Sequence, residues 1–173
     1  DYSNVGGKTL LHASLPGGEN LSSVYDYQYL MANRYKVEFA LGRKASADDI
    51  VSLQPDVVLL ATGSRAGQPH WLDEDWAASG LIPSLREIAT DLLERSDTTE
   101  GRCVLVDQDH TEMTYAVAEL LAQRFTKVTI MTSRERLGHD MSLINRQGSY
   151  QRLHDLGIEI LCNVEPVDLD ALE

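Results

Sequence analysis

Apolar and polar positions along this chain follow two periods, and the clearest stretch begins at residue 102. There "RCVLVD", "KVTIMT" and "IEILCN" are short apolar runs, and between them "TEMTYAVAELLAQRF" and "LINRQGSYQRLHDLG" repeat apolar residues at helical spacing. The first helical stretch gathers Met113, Ala116, Val117, Leu120 and Leu121 into one broad stripe. Asp109 with Glu112 three residues on reads as a capping pair at its start, and Gly157 stands where the second helix wants a left-handed C′ residue. Strand, helix, strand, helix, strand with short joints is the repeat of a right-handed parallel unit. Residues 101–163 are therefore predicted to form half of a doubly wound sheet. The fold class is α/β: a Rossmann-like parallel sheet flanked by helices in three layers, with part of a second nucleotide-binding domain.

Before residue 101 the pattern is looser. "PDVVLLATGS" is an unbroken apolar row running into Ala61, Thr62, Gly63 and Ser64, the pattern of a strand covered on both faces and closed by a small-residue turn. "KVEFALG" alternates Val37, Phe39 and Leu41 like another strand. Helices are predicted over 22–35, behind Ser22 or Ser23 as N-cap, over 47–53, and over 83–96, where Leu85, Ile88, Leu92 and Leu93 share a side. The first 23 residues, punctuated by Gly6, Gly7, Pro16, Gly17 and Gly18, read as an excursion outside the core. "SRAGQPHWLDEDWAASG" reads as a polar and aromatic loop whose acidic "DEDW" is a charged surface, and "DTTEG" as a boundary.

Composition narrows the function classes. The chain has 173 residues, 43% hydrophobic and 24% charged, enough for one good core or two small lobes. A formal net charge of −12 argues against a general nucleic-acid or anionic-membrane binder, and the densest basic group, Arg134 and Arg136, has Glu135 in its middle. No apolar run approaches the roughly 18 residues of a membrane span, and there is no signal peptide. Cys103 and Cys162 both lie in predicted strands and read as buried thiols of a reducing, cytoplasmic compartment. With no CxxC, HExxH or GxSxG, neither a metal or iron–sulfur site nor triad chemistry is predicted within the chain. The chain begins with Asp1, which reads as the cut end of something longer or as a processed product.

An open parallel sheet binds ligands beyond the carboxyl ends of its strands. Three such places carry candidate residues. Ala61, Thr62, Gly63 and Ser64 let a ligand come close, or simply make a tight turn. The loop "DQDHTEM" stands where a dinucleotide-binding domain has GxGxxG, yet holds no glycine. Asp107 and Asp109 oppose a pyrophosphate there, while His110 can donate to a phosphate or be an ordinary loop histidine. In "TSRERLG", Ser133 and Arg134 lean toward a phosphorylated ribose if a nucleotide binds, and otherwise form a solvated charged loop.

Taken in order, "GGKTLLHASLPG", "ADDIVSLQPDVVLLATGSR", "RCVLVDQDHTEMTYAVAELLAQRFTKVTIMTSRERLG" and "YQRLHDLGIEIL" resemble the C-terminal part of the flavin oxidoreductases typified by trimethylamine dehydrogenase and 2,4-dienoyl-CoA reductase. In that family an FMN-bearing barrel and an iron–sulfur cluster precede two nucleotide-binding domains, the first for FAD or ADP and the second, in some members, for NAD(P)H. The resemblance implies that Gly6 and Gly7 match the double glycine after the second strand of the FAD domain, and that Ala61, Thr62 and Gly63 match its second flavin-contacting motif. The family's first GxGxxG and its ribose-gripping acid would precede this chain, and the final strand of the first domain would lie beyond Glu173. The altered loop at 107–113 is similar to that of the amine dehydrogenase branch, where electrons leave through the cluster to an electron-transfer protein and NAD(P)H need not bind.

The resemblance thus implies a partial FAD/ADP-binding domain over 1–80, a connecting helix and linker over 81–100, and an NAD(P)-binding-like domain over 101–173. The expected role is nucleotide binding (FAD or ADP, and NAD(P)H as a further cofactor) within a flavin-dependent oxidoreductase or amine dehydrogenase whose barrel, FMN and cluster lie elsewhere. The fragment alone is expected to be inactive, with the rest of the parent flavoprotein and an electron-transfer protein as partners, and no nucleic acid or membrane. The alternative is a non-catalytic interaction or scaffolding module with decayed nucleotide loops.

Overall fold

A computed structural model describes residues 3–95, 97 and 99–168. The reading of Asp1, part of the "DTTEG" boundary, and the stretch approaching Glu173 fall outside the described residues. The helices are α1 (Gly7–Ala13), α2 (Ser22–Arg34), α3 (Ala47–Ser52), α4 (Glu74–Ser79), α5 (Leu85–Glu94), α6 (Glu112–Ala122) and α7 (Leu143–Asp155). The strands are β1 (Thr99–Val106), β2 (Phe125–Thr132) and β3 (Glu159–Cys162), forming one parallel sheet in the order β1-β2-β3.

The α/β unit follows the sequence pattern. α6 joins β1 to β2 and α7 joins β2 to β3, and the two helices pack on each other while α6 also lies on β2 and α5. The stripe Met113, Ala116, Val117, Leu120 and Leu121 is buried, facing Leu105, Val128 and Ile130 of the sheet within one cluster. In register, Leu105 stands beside Ile130 and Ile130 beside Ile160, a continuous apolar layer across the three strands. Gly157 is the left-handed C′ residue of α7 (φ 68°): Ile158 N–H donates to Leu153 O (3.0 Å) and Gly157 N–H to His154 O (2.9 Å), so buried Leu153 and Ile158 close a Schellman turn.

Several expectations need correction. The "DTTEG" boundary belongs in part to β1, which begins at Thr99 and shifts register before Arg102. Asp109 and Glu112 form no capping pair: α6 starts at Glu112 behind Thr111, Asp109 accepts from the Thr111 hydroxyl (3.0 Å), and Glu112 accepts from Asn145. Neither Ser22 nor Ser23 caps α2, whose N-cap is Leu21; the preceding 3-10 turn Glu19–Leu21 runs directly into it, and Ser23 donates back to Asn20 O. Capping boxes do close α3 (Ser46 with Asp49) and α5 (Ser84 with Glu87). "DEDW" is the first turn of α4, with Asp73 as N-cap, because three acids at a helix N-terminus favour the macrodipole.

Residues 3–23 are not an excursion. They carry α1, and Leu15 behind it is sunk into the main core. The larger correction concerns the two rows predicted as strands in the first half. Residues 37–41 and 57–62 pair with nothing in the sheet and lie exposed; Val57, Leu59 and Leu60 are 75%, 89% and 80% accessible. A β-row is stable only when its N–H and C=O groups find a neighbouring strand, and among the described residues no strand stands beside either row.

The cysteines are free and half-buried rather than fully enclosed. Burial pushes the Cys103 thiol up, which disfavours the thiolate that reacts with disulfide reagents. Cys103 is therefore expected to react with a soluble aromatic disulfide at neutral pH more slowly than a free-cysteine peptide. A reaction as fast as the peptide's refutes this.

Candidate functional site

The carboxyl end of β1 runs into a buried carboxylate. Asp107 is 2% accessible, and its backbone N–H donates to Met131 O (2.8 Å), continuing the ladder to β2 one residue past the strand. Its side chain accepts from the His110 backbone N–H (2.8 Å) and from the Tyr115 hydroxyl (2.9 Å), with His110 Nδ1 at 3.3 Å. His110 is held in the left-handed region (φ 52°), which costs a non-glycine residue about 1 kcal/mol; its double contact with Asp107 offsets this. The Tyr115 hydroxyl in turn accepts from Gly138 N–H. Burial, and then the Asp107 charge, push the Tyr115 phenol well above its ordinary range, so it stays a neutral donor.

The loop after β2 is fastened by the same device. Leu137 N–H donates to the Tyr150 hydroxyl (2.9 Å) of α7, so two phenols hold adjacent backbone amides at 137 and 138. Upstream of them Ser133 and Arg134 are exposed. Arg134 N–H leans on Thr132 Oγ1 (3.3 Å), and its carbonyl accepts from Asn163 N–H (2.9 Å), tying the loop to the end of β3.

Gly6 and Gly7 open α1. Gly6 has φ 118°, and a Cβ there would stand 2.9 Å from Leu10 Cβ and 3.3 Å from the Tyr25 ring, so the position is closed to side chains by both conformation and space. The next residue, Lys8, reaches across to Asp109 (3.4 Å), bringing the start of α1 against the loop after β1. Between them lies a cleft of about 460 Å³ whose lining includes Lys8, His12, His110, Glu112, Asp140 and Met141. Burial lowers the His12 pKa, opposed by the Glu112 charge and aided by Lys8.

Ala61, Thr62, Gly63 and Ser64 stand apart from that cleft's lining, in the exposed row. Gly63 is left-handed (φ 76°) with open space where a Cβ would point. Ser64 is gripped by Arg86 of α5 through its carbonyl (2.7 Å) and its hydroxyl (3.0 Å).

Of the candidates, the structure places Gly6 and Gly7 at the head of the helix whose Lys8 and His12 meet His110 across the cleft. It leaves Ser133 and Arg134 exposed on the neighbouring loop and Ala61 to Ser64 on a separate segment. Sequence reading missed Tyr115, Lys8 and Arg86. A tyrosine inside an aliphatic helix stripe, eight residues after an aspartate that ends a strand, is the signal that points to the Asp107 network. Lys8 and Arg86 act across 101 and 22 residues and leave no periodic trace.

The chemistry these groups fit differs between the two places. At Gly63 an open, left-handed backbone position leaves room for a ligand to come close to the main chain. At the loop after β1 the fit is poor, because a satisfied carboxylate occupies the turn where a pyrophosphate needs free N–H groups and no negative charge. Among the described residues no cluster of His, Cys, Asp and Glu is able to hold a metal ion, and no helix is long and apolar enough to cross a membrane.

No protein-family profile matches the chain. It is 31% identical, over 133 residues, to the N,N-dimethylglycine/sarcosine dehydrogenase of Chromohalobacter salexigens, covering 74% of this chain and 18% of that protein. It is 27% identical, over 162 residues, to the NADH oxidase of Thermoanaerobacter brockii, covering 90% of this chain and 23% of the oxidase. Among solved structures, the histamine dehydrogenase of Rhizobium sp. 4-9 matches with a TM-score of 0.74 and 26% identity, over 94% of this chain and 26% of that one. The chain thus spans less than a quarter of the length of these curated relatives.

Proposed function

From a chain that resembles the C-terminal nucleotide-binding region of the flavin oxidoreductases typified by trimethylamine dehydrogenase and 2,4-dienoyl-CoA reductase, we propose a role as part of the nucleotide-binding apparatus of a larger flavin-dependent oxidoreductase or amine dehydrogenase. Residues 1–80 contribute part of an FAD- or ADP-binding domain, 81–100 connect, and 101–173 form an NAD(P)-domain-like scaffold. The observation that carries the reading is the pair of exposed apolar rows at 37–41 and 57–62. They have the composition of covered strands and end, in the second case, in an open left-handed glycine. Such rows fit a parallel sheet completed by strands outside this chain. The parent works in the cytoplasm, where half-buried free thiols persist.

A flavin, when bound in such an enzyme, supplies hydride or single-electron transfer. This chain's own residues bind and orient. Gly6 and Gly7 free the backbone at the head of α1, and Ala61, Thr62 and Gly63 present backbone to the adenosine nucleotide. Ser133 and Arg134 would select a 2′-phosphate, and His110 would donate to a phosphate, only in a parent whose second domain takes NAD(P)H. The filled turn at Asp107 favours a second domain that supports the first without a dinucleotide of its own, and it equally favours the alternative of an interaction module with decayed loops.

Titration calorimetry on the full-length protein separates these. ADP is expected to bind, and Gly63→Val, a β-branched residue at φ 76°, to weaken it at least about tenfold. NADPH and NADH are expected to bind weakly and alike. Absence of ADP binding together with absence of flavin absorbance in the full-length protein selects the interaction module, whereas NADPH binding that Arg134→Ala reduces to the NADH level assigns the loop after β2 to a 2′-phosphate.

A further inference from the structure

Among the described residues segment 55–68 belongs to no sheet, and the hydrogen bonds that hold it converge on Ser64 and come from Arg86. Arg86 lies in the first turn of α5. That turn is fixed by the reciprocal capping of Ser84 and Glu87, and Ser84 holds the Glu87 carboxyl below its usual range. Farther along, Ala89 and Leu92 sink α5 into the main core, and the helix packs on α6 and α1. A planar guanidinium meeting the carbonyl and the hydroxyl of one residue fixes direction as well as distance, which a single lysine ammonium does not.

Ser64 directly follows Ala61, Thr62 and Gly63, so the small-residue turn takes its place from α5 and the α/β core behind it. We infer that Arg86 is a positioning residue that sets where the backbone of the Ala61, Thr62 and Gly63 turn meets a nucleoside diphosphate. The inference rests on the nucleotide-binding reading above and adds to it the group that aims the turn. It also makes α5 the mechanical joint between the two nucleotide-binding lobes, since the same helix leans on α6 of the second.

The test is ADP titration into the full-length protein by calorimetry, with thermal unfolding on the same samples. Arg86→Met is expected to weaken ADP about tenfold, and Ser64→Ala, which keeps the carbonyl bond, about threefold, each with an unchanged Tm. Arg86→Lys, with a single point donor, is expected to fall between Met and the wild type. ADP affinity within about twofold of wild type in both Arg86→Met and Ser64→Ala overturns the inference, and so does a loss of affinity that tracks a fall in Tm in both. If Arg86→Met does not fold, Ser64→Ala decides alone by the same criterion. A wild-type protein that does not bind ADP overturns the nucleotide-binding reading before any variant is compared, so the two failures are told apart.

Discussion

Replacing Tyr115 by phenylalanine is expected to destabilise this protein by about 2–4 kcal/mol at neutral pH, measured as the loss in free energy of urea unfolding by circular dichroism. The ring keeps its place in the core, so the loss comes from one oxygen. That oxygen donates to Asp107 and accepts from Gly138 N–H; without it a buried carboxylate loses one of its donors and a buried amide its acceptor. The pH dependence carries a second signature. Burial first, and Asp107 second, raise the Tyr115 pKa in the fold above its unfolded value near 10. The folded state therefore holds that proton more tightly, and the associated stability is fully present below about pH 10 and lost as pH rises beyond it. Wild type should show this alkaline loss and the phenylalanine variant should lack the Tyr115 share of it. A cost under about 1 kcal/mol at neutral pH would show that the network matters little.

The second large effect is a contrast between two aliphatic residues. Ile130 is fully buried in the middle of β2, flanked in register by Leu105 and Ile160, and Ile130→Ala is expected to cost about 3–4 kcal/mol. Leu59, 89% accessible, should cost under about 0.5 kcal/mol when truncated to alanine in the 173-residue chain. In the full-length protein the proposed sheet covers the row, and the same Leu59→Ala should cost about 2–3 kcal/mol. Urea unfolding of both forms measures the pair of differences. Equal, small costs for Leu59→Ala in the two would mean that 57–62 is never a covered strand.

These residues also show what the sequence makes visible. α6 was legible because Met113, Ala116, Val117, Leu120 and Leu121 recur at helical spacing and all end in the core. β1, β2 and β3 were legible because each apolar run finds the next one beside it in the same chain. The row at 57–62 has the same composition and no such neighbour, and composition cannot report whether a partner strand is present. α1 was hidden by Gly6 and Gly7, whose punctuation outweighed the short apolar pair Leu10 and Leu11 behind them. In the candidate site, His110 was legible as a loop histidine but not its commitment to Asp107, because a left-handed backbone leaves no mark in residue type. The Arg86 grip on Ser64 joins two segments that only tertiary packing brings together.

The uncovered row at 57–60 has a consequence for the chain before any sheet closes over it. Four apolar residues in open solvent are a template on which a second copy can stack, backbone to backbone, and initiate cross-β aggregation. Pro55 and Asp56 stand immediately before the row, and Gly63 and Arg65 follow closely after. A residue without an N–H, a charge of each sign and a left-handed glycine at φ 76° that breaks the extended backbone leave such stacking little length to grow in either direction. The flanks of the row thus act as gatekeepers against stacking of one copy on another.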